Sequence, residues 1–577
     1  MIAMILVAAA AVLGQTNSAE ESLEKLLASE WERTMEMSPT WASSLGDRRF
    51  NDRWEDLRRD EIASQHARDR KALQRLSEID RTQLTPRSQL TCDLFRRQYE
   101  RRLAAHPFGY ECLAVHQREG IQTADELSDA LRFETKQDYE DWIARCRRMD
   151  AYMEQTLELL RDGMRRKIVQ PKVIMQRVPA QIEKQLVESP TASPFYKPLQ
   201  KFPRDIEEAD RALLRKKAEE AIREVVVPAY RRMLTFIRDE YLPVCFDEVG
   251  AWQLPQGKEF YANCCQRHTT TDLTPDQIHE LGLNEVARIR RAMEQVKEQA
   301  GFQGSLPEFF QYLRTDPKFF CKTEQDLLET YQIVSKRIDP HLVKLFRTLP
   351  RIPYGVEAIP MKIAPDTTTA YYRQPAADGS RAGTYFVNLF RPETRPKWEM
   401  MALSLHEAVP GHHLQIALAT EQTDLPPFRR YGEYTAYVEG WALYAESLGD
   451  ELGLYDDPYS KFGQLTYEMW RAVRLVVDTG IHHKRWSREQ AIEFFRSNAP
   501  KMENDIVNEI DRYIAWPGQA LAYKIGELKI KELRRRGAEQ LQDKFDVKEF
   551  HDVILRSGSV PLDVLEAQVN GWLAGKK

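Results

Sequence analysis

A chain of 577 residues with 42% apolar side chains can bury a large core, so a folded globular protein is expected and a disordered or fibrous one is excluded. Its 83 basic and 88 acidic side chains leave a net charge of only −5, which gives no long-range attraction to a phosphate backbone and argues against a nucleic-acid partner. The seven cysteines, at 92, 112, 146, 245, 264, 265 and 321, are odd in number; a chain this long needs no disulfide scaffold, and the adjacent Cys264 and Cys265 lack the CxxC spacing of a metal knuckle.

The chain starts MIAMILVAAAAVLG, then turns small and polar before the charged run at Glu20. Residues 1–19 therefore resemble the apolar core and cleavage region of a signal peptide and are too short to span a bilayer. No Lys or Arg precedes the run and no Cys follows it to carry a lipid. A periplasmic or secreted protein without a transmembrane span is expected, with a cytoplasmic location as runner-up.

Residues 20–345 read as a succession of helices. Ile206 to Tyr241 has apolar residues returning every three or four positions, interrupted by a strand-like Val225-Val226-Val227 before Pro228. Prolines across 170–202 suggest a subdomain boundary, and 243–257 reads as loop. Thr274-Pro275-Asp276-Gln277 carries a capping hydroxyl, a first-turn proline and a side-chain acceptor three residues after the cap, which predicts a helix start. Between 350 and 395, YGVEAIP, TTTAYYRQP and GTYFVNLF read as two or three strands. Helical periodicity returns at Trp398 and runs to about Glu539, with a shorter helical tail to Leu573. Arg534, Arg535 and Arg536 fit a solvated helix face. The expected fold is mainly α: a helical half over 20–345, then a small sheet and a second helical half over 346–577, in one continuous globular unit.

Five of the twelve histidines, at 406, 412, 413, 482 and 483, fall in one 78-residue window. His406 and Glu407 are the residue types of a metal ligand followed by a general base. In the usual HExxH arrangement the second histidine follows four residues later, on the same helix face. Here His412 follows after six, which turns it about 240° from His406 on an ideal helix. Pro410 and Gly411 just before it are what an interrupted helix requires, a missing amide donor and a permissive backbone. A local interruption that returns His412 to His406 is favoured. The rival is His413, on the correct face but displaced by a rise of about 10.5 Å; otherwise His413 contacts substrate or supports the ligands. Glu439 is the best third ligand, Glu446 lies on the same face two turns on and could orient a ligand histidine, and Glu433 is an outer candidate. One Zn2+ per chain is expected, although two histidines and one glutamate also hold manganese or cobalt. The pair His279-Glu280 has no histidine near it downstream and is read as helix surface.

HEAVPGHHLQ at 406–415, VEGWALYAE at 438–446, RYIAWPGQALAYKIG at 512–526 and IHELGLNEVARI at 278–289 together resemble the bacterial DUF885 family. That family looks like a branch of the zincin metallopeptidases with an interrupted His-Glu motif. The resemblance implies a mostly helical fold similar to the deep-cleft metallopeptidases, with a small β-sheet beside the active helix. It also implies His406, His412 and Glu439 as ligands and Glu407 as base, and all four residues are present.

A zinc metallopeptidase acting on short peptides is the resulting expectation. Candidates for stabilising the oxyanion are Tyr523 and His482, the latter paired with Asp478 four residues earlier. Gly383 to Phe390 is the candidate edge strand for holding a peptide backbone. Arg474, Arg512 and Lys524 could clamp a substrate carboxylate, as a carboxypeptidase or dipeptidyl carboxypeptidase requires. The alternatives are a zinc hydrolase of another amide or ester and a non-catalytic exported protein that binds metal or peptide. The chain would work as a monomer or homodimer.

Overall fold

Apolar residues spaced for helices fill both compact units of the computed structural model, which describes residues 18–361, 364–376, 379 and 381–576. The expected signal peptide falls almost wholly outside the described residues. One unit comprises residues up to Val169, Arg177–Val244 and Pro426–Phe428; the other comprises Gln170–Gln176, Cys245–Leu425 and Arg429 onward. Residues 245–345 thus group with the sheet and the C-terminal helices, not with the N-terminal helices whose texture they share.

The first unit is helical throughout. Leu23, Leu26, Ala72, Leu76, Phe95 and Tyr99 form one of its cores. Val225-Val226-Val227 is not strand: Ile222–Val226 is a π-helical turn leading into a helix over Val227–Phe236. The wider turn accommodates Pro228, which has no amide and would crowd the carbonyl four residues back.

In the second unit helix α1, Pro275–Gln299, starts where the sequence predicts. Thr274 accepts from the Gln277 amide and the Gln277 side chain accepts from the Thr274 amide, closing a capping box. Three strands follow, β1 at Tyr354–Ala358, β2 at Ala370–Arg373 and β3 at Gly383–Val387. Their order is β1-β3-β2, with β1 parallel and β2 antiparallel to β3. β3 is therefore the buried central strand, its backbone paired on both sides, and Gly383 to Phe390 is not an edge. The edge strands are β1 and β2.

Helices α2 (Met400–Glu407), α3 (His412–Glu421), α4 (Thr435–Ser447), α5 (Pro458–His482), α6 (Glu503–Ala515) and α7 (Ala522–Leu541) complete the frame around the site. α2 packs against β2, α4 and α5, and α5 lies along α1. α4 and α7 touch backbone to backbone: a Cβ on Gly526 would sit 1.8 Å from the Ala436 carbonyl oxygen, and one on Gly440 would sit 2.5 Å from Gly526. Two glycines thus let the helix bearing Glu439 and the helix bearing Tyr523 close on each other. Among the described residues no helix is long and apolar enough to cross a membrane.

Candidate metal centre

α2 ends at Glu407, and the chain leaves helical geometry at Ala408, with φ −96° and ψ −113°. It passes a cis Val409–Pro410 bond and re-enters a helix at His412 after Gly411. The turn is so tight that a Cβ on Gly411 would lie 1.9 Å from the His406 carbonyl oxygen. Only glycine fits there. The Trp441 indole on α4 donates to the Pro410 carbonyl at 2.8 Å, and the His413 amide bonds to the Ala408 carbonyl at 3.0 Å, so the interruption has defined partners.

This break returns His412 to His406, their rings meeting edge to face with centroids 4.7 Å apart. Glu439 on α4 completes the group: its Oε2 lies 3.6 Å from His406 Nε2 and 3.5 Å from His412 Nε2. All three donor atoms lie within 4.8 Å of one another. Metal bonds of 2.0–2.1 Å in tetrahedral geometry place neighbouring donors about 3.3 Å apart. The observed separations match that spacing better than direct hydrogen bonds, and Glu439 Oε2 is buried without a hydrogen-bond partner. The residues fit a divalent ion.

The support around the ligands matches the donor set. The fully buried Glu446 carboxylate accepts from His406 Nδ1 at 2.8 Å, which leaves the Nε2 lone pair facing Glu439 and His412. Arg471 on α5 lies 3.3 Å from the same Glu446 oxygen and balances its charge. Burial works against a charged His406, but the Glu439 and Glu446 carboxylates outweigh it and raise this imidazole to about 9. Burial also opposes ionisation of Glu439, and the two histidines overcome it, holding the carboxyl well below its usual range. The pocket therefore favours positive charge between these side chains. Glu407 is buried at the C-terminal end of α2. Glu433 is exposed; the protein around it and the Glu439 carboxylate raise its pKa.

His413 is excluded as the second ligand. Its Nδ1 accepts from the Tyr372 hydroxyl at 2.9 Å and its Nε2 donates to the Ile352 carbonyl at 3.1 Å, so both nitrogens are engaged. Burial lowers its pKa to about 4, consistent with a neutral ring that ties α3 to the sheet.

Three other expected roles need correction. His482 does not pair with Asp478: its Nδ1 accepts from the Ala251 amide and its Nε2 donates to the Tyr513 carbonyl. Neither nitrogen is left for an oxyanion. Asp478 accepts instead from the Tyr261 hydroxyl at 2.6 Å and the Gly518 amide. Lys524 is fully buried among Glu468, Glu527 and Glu285 and has no charge to spare for a substrate. His279 is buried, not on the surface, and bonds to Thr479 at 2.8 Å.

The remaining expected residues lie in one neighbourhood. Tyr523 is one turn before Gly526, which touches the residue after Glu439. Its ring is 4.2 Å from the Arg474 guanidinium and 5.9 Å from that of Arg471, and its hydroxyl accepts from Arg512 at 3.3 Å. Sequence reasoning missed Arg471 and Tyr372. Arg471 stands three residues before Arg474 on the same helix, and that spacing was its available signal.

The family described as "Bacterial protein of unknown function (DUF885)" matches residues 39–569. The chain belongs to this family. A solved protein from Colwellia psychrerythraea, described as a candidate lipoprotein, is similar at 30% identity over 97% of this chain and 100% of its own, with a TM-score of 0.91. A candidate lipoprotein of unknown function from Shewanella oneidensis shares the fold at 17% identity, with a TM-score of 0.71 over 94% of this DUF885 chain and 99% of its own. No curated protein matches.

Proposed function

We propose that this DUF885 protein is a metal-dependent hydrolase of amide or ester bonds, with short peptides as the first substrate class to test. The observation that carries the reading is the orphaned Glu439 Oε2, set 3.5 and 3.6 Å from two imidazole nitrogens, with a glutamate directly after the first histidine. His406, His412 and Glu439 would hold the ion, one per chain, and zinc suits the donor set. When bound, such an ion supplies Lewis-acid polarisation of an acyl oxygen and acidifies water. Glu407 takes the proton of the attacking water and passes it to the leaving group. Tyr523 donates a neutral hydrogen bond to the oxyanion. β2, the sheet edge that carries Tyr372 beside His412 and His413, can pair with an extended substrate backbone.

The second reading is a non-catalytic exported protein that binds metal or peptide. The description of the two similar solved proteins as candidate lipoproteins favours it, and the same description supports a periplasmic or secreted location.

Elemental analysis of wild type, His412→Ala and His413→Ala tests the site, and peptide, amide and ester libraries test the chemistry. One equivalent of zinc, lost with His412→Ala and kept with His413→Ala, is expected. Glu407→Gln should keep the zinc and lose turnover by about 10²–10⁴-fold. Zinc retained with no turnover on any library selects the second reading in its metal-binding form, and absence of rebindable metal overturns the hydrolase and leaves a peptide-binding protein.

A further inference from the structure

α5 presents Arg471 and Arg474 one turn apart, both buried. Arg471 is matched by Glu446. Arg474 is not matched in the same way. Its Nε donates to the Tyr513 hydroxyl at 2.9 Å and its Nη2 to Glu509 at 3.0 Å. Its Nη1 is buried with no hydrogen-bond partner among the described residues, although only 3% of Arg474 is exposed.

Glu509 serves a second cation. Arg512, on the same helix α6, donates to both Glu509 oxygens at 3.2 and 3.3 Å, and its other amino group reaches Gln519 at 2.6 Å and the Tyr523 hydroxyl. Tyr513 also spends its proton on Glu509, at 2.7 Å. Two buried guanidiniums therefore share one carboxylate. Asp478 also feels Arg512, but burial raises its pKa to about 7 while its oxygens are taken by Tyr261 and Gly518. Asp478 is a poor counter-charge.

Lys524 gives a contrast within the same unit. Lys524, Arg288 and Lys531 face Glu285, Glu468 and Glu527, three cations against three anions. A buried charge left uncompensated costs several kcal/mol, as does an unsatisfied charged donor, so an excess cation with an orphaned N–H is suited to an anion from outside. Gln519, half-buried, borders the cluster. The Tyr523 ring lies between Arg471 and the pair, which places the excess charge one helical turn from the residue that supports His406.

We propose that Arg474 and Arg512 bind a carboxylate of the substrate, so that this protein acts on acyl compounds with a free carboxylate close to the bond cleaved, a peptide C-terminus being the simplest. The proposal rests on the hydrolase reading above and gives it a polarity. A guanidinium pair suits a carboxylate because each carries a permanent charge and directs its N–H donors in a fixed plane, and Arg474 Nη1 is the donor left open here.

The test uses zinc-loaded full-length protein. Binding of N-benzoylglycine and of N-benzoylglycinamide is measured by calorimetry, and hydrolysis is followed on N-blocked tripeptides with a free or amidated C-terminus. The acid should bind at least 10-fold tighter than the amide, and the free-carboxylate peptides should be cleaved with at least 10-fold higher kcat/KM. Arg474→Gln and Arg512→Gln should each bring the acid-to-amide ratio towards one, read only where zinc content and circular dichroism match wild type. If neither variant folds, Gln519→Glu, which puts a carboxylate where the Gln519 oxygen meets the Arg512 amino group, should bring the calorimetric acid-to-amide ratio towards one, and an unchanged ratio overturns the proposal. Equal affinity for acid and amide in the wild type, or a preference that survives in both arginine variants, overturns the proposal. Acid preference without hydrolysis would keep the anion site and sink the hydrolase; hydrolysis without acid preference would do the reverse.

Discussion

Glu446→Gln isolates the part of the centre that touches no metal. Glu446 is fully buried, and one of its oxygens accepts from His406 Nδ1 at 2.8 Å while lying 3.3 Å from Arg471. Glutamine keeps the shape and one acceptor but removes the charge. Two losses follow, and they are separable. His406 loses the carboxylate that fixes its tautomer and strengthens its basicity, which for an outer partner of a ligating histidine lowers metal affinity by about 10–100-fold. Arg471 loses its counter-charge while only 4% of it is exposed, and breaking a buried pair by removing one partner costs about 3–5 kcal/mol; the retained amide oxygen should hold the cost near the lower figure. Zinc affinity is read by competition with a chromophoric chelator, and stability by urea unfolding of the metal-free protein. Adding Arg471→Met to Glu446→Gln should recover much of the stability and none of the zinc affinity, because only the arginine's cost is relieved. Zinc affinity of Glu446→Gln within twofold of wild type would show that the His406–Glu446 bond does not support the ligand, and the reasoning would fail.

Tyr372→Phe removes the hydrogen bond to His413 Nδ1 and should cost about 1 kcal/mol of stability while leaving zinc content unchanged, as elemental analysis would check. Gly526→Ala places a methyl 1.8 Å from the Ala436 carbonyl and must part α4 from α7. It should destabilise by about 1–3 kcal/mol or more and weaken zinc binding through Glu439, whereas Gly571→Ala, with open space around its Cβ, should do neither. Asp478 has a folded pKa of about 7 against about 3.9 for a free aspartate, so the folded state binds the extra proton between those values. Stability should therefore fall as pH rises from about 4 to 7, by at most about 4 kcal/mol from this group, and Asp478→Asn should flatten that slope in urea titrations.

What could be read from the sequence was local. The capping box at Thr274, the three short strands and the helix interruption at Pro410-Gly411 each depend on a few adjacent residues, and each is present in the structure. The choice between His412 and His413 was only partly of this kind. Spacing favoured His412, but what excludes His413 is Tyr372 on β2 and the Ile352 carbonyl, partners supplied by a sheet whose strand order no local pattern specifies. The same limit explains β3: its aromatic and β-branched run suits an edge as well as a centre, and only the β1-β3-β2 pairing decides.

Charged side chains show the limit most sharply. Arg474, Arg512 and Lys524 look equally suited to a substrate carboxylate in the sequence, since each is a cation in a helical stretch of the C-terminal half. Their difference is a charge balance set by residues far along the chain. Lys524 meets Glu285 from α1 and Glu468 from α5, and its cluster closes neutral. Arg474 and Arg512 meet one glutamate between them, and Arg474 keeps an N–H without a partner among the described residues. The count of opposing charges that the fold delivers to a buried cation is thus what distinguishes these side chains, and in this protein it separates a lysine whose charge is matched from two arginines that share one glutamate.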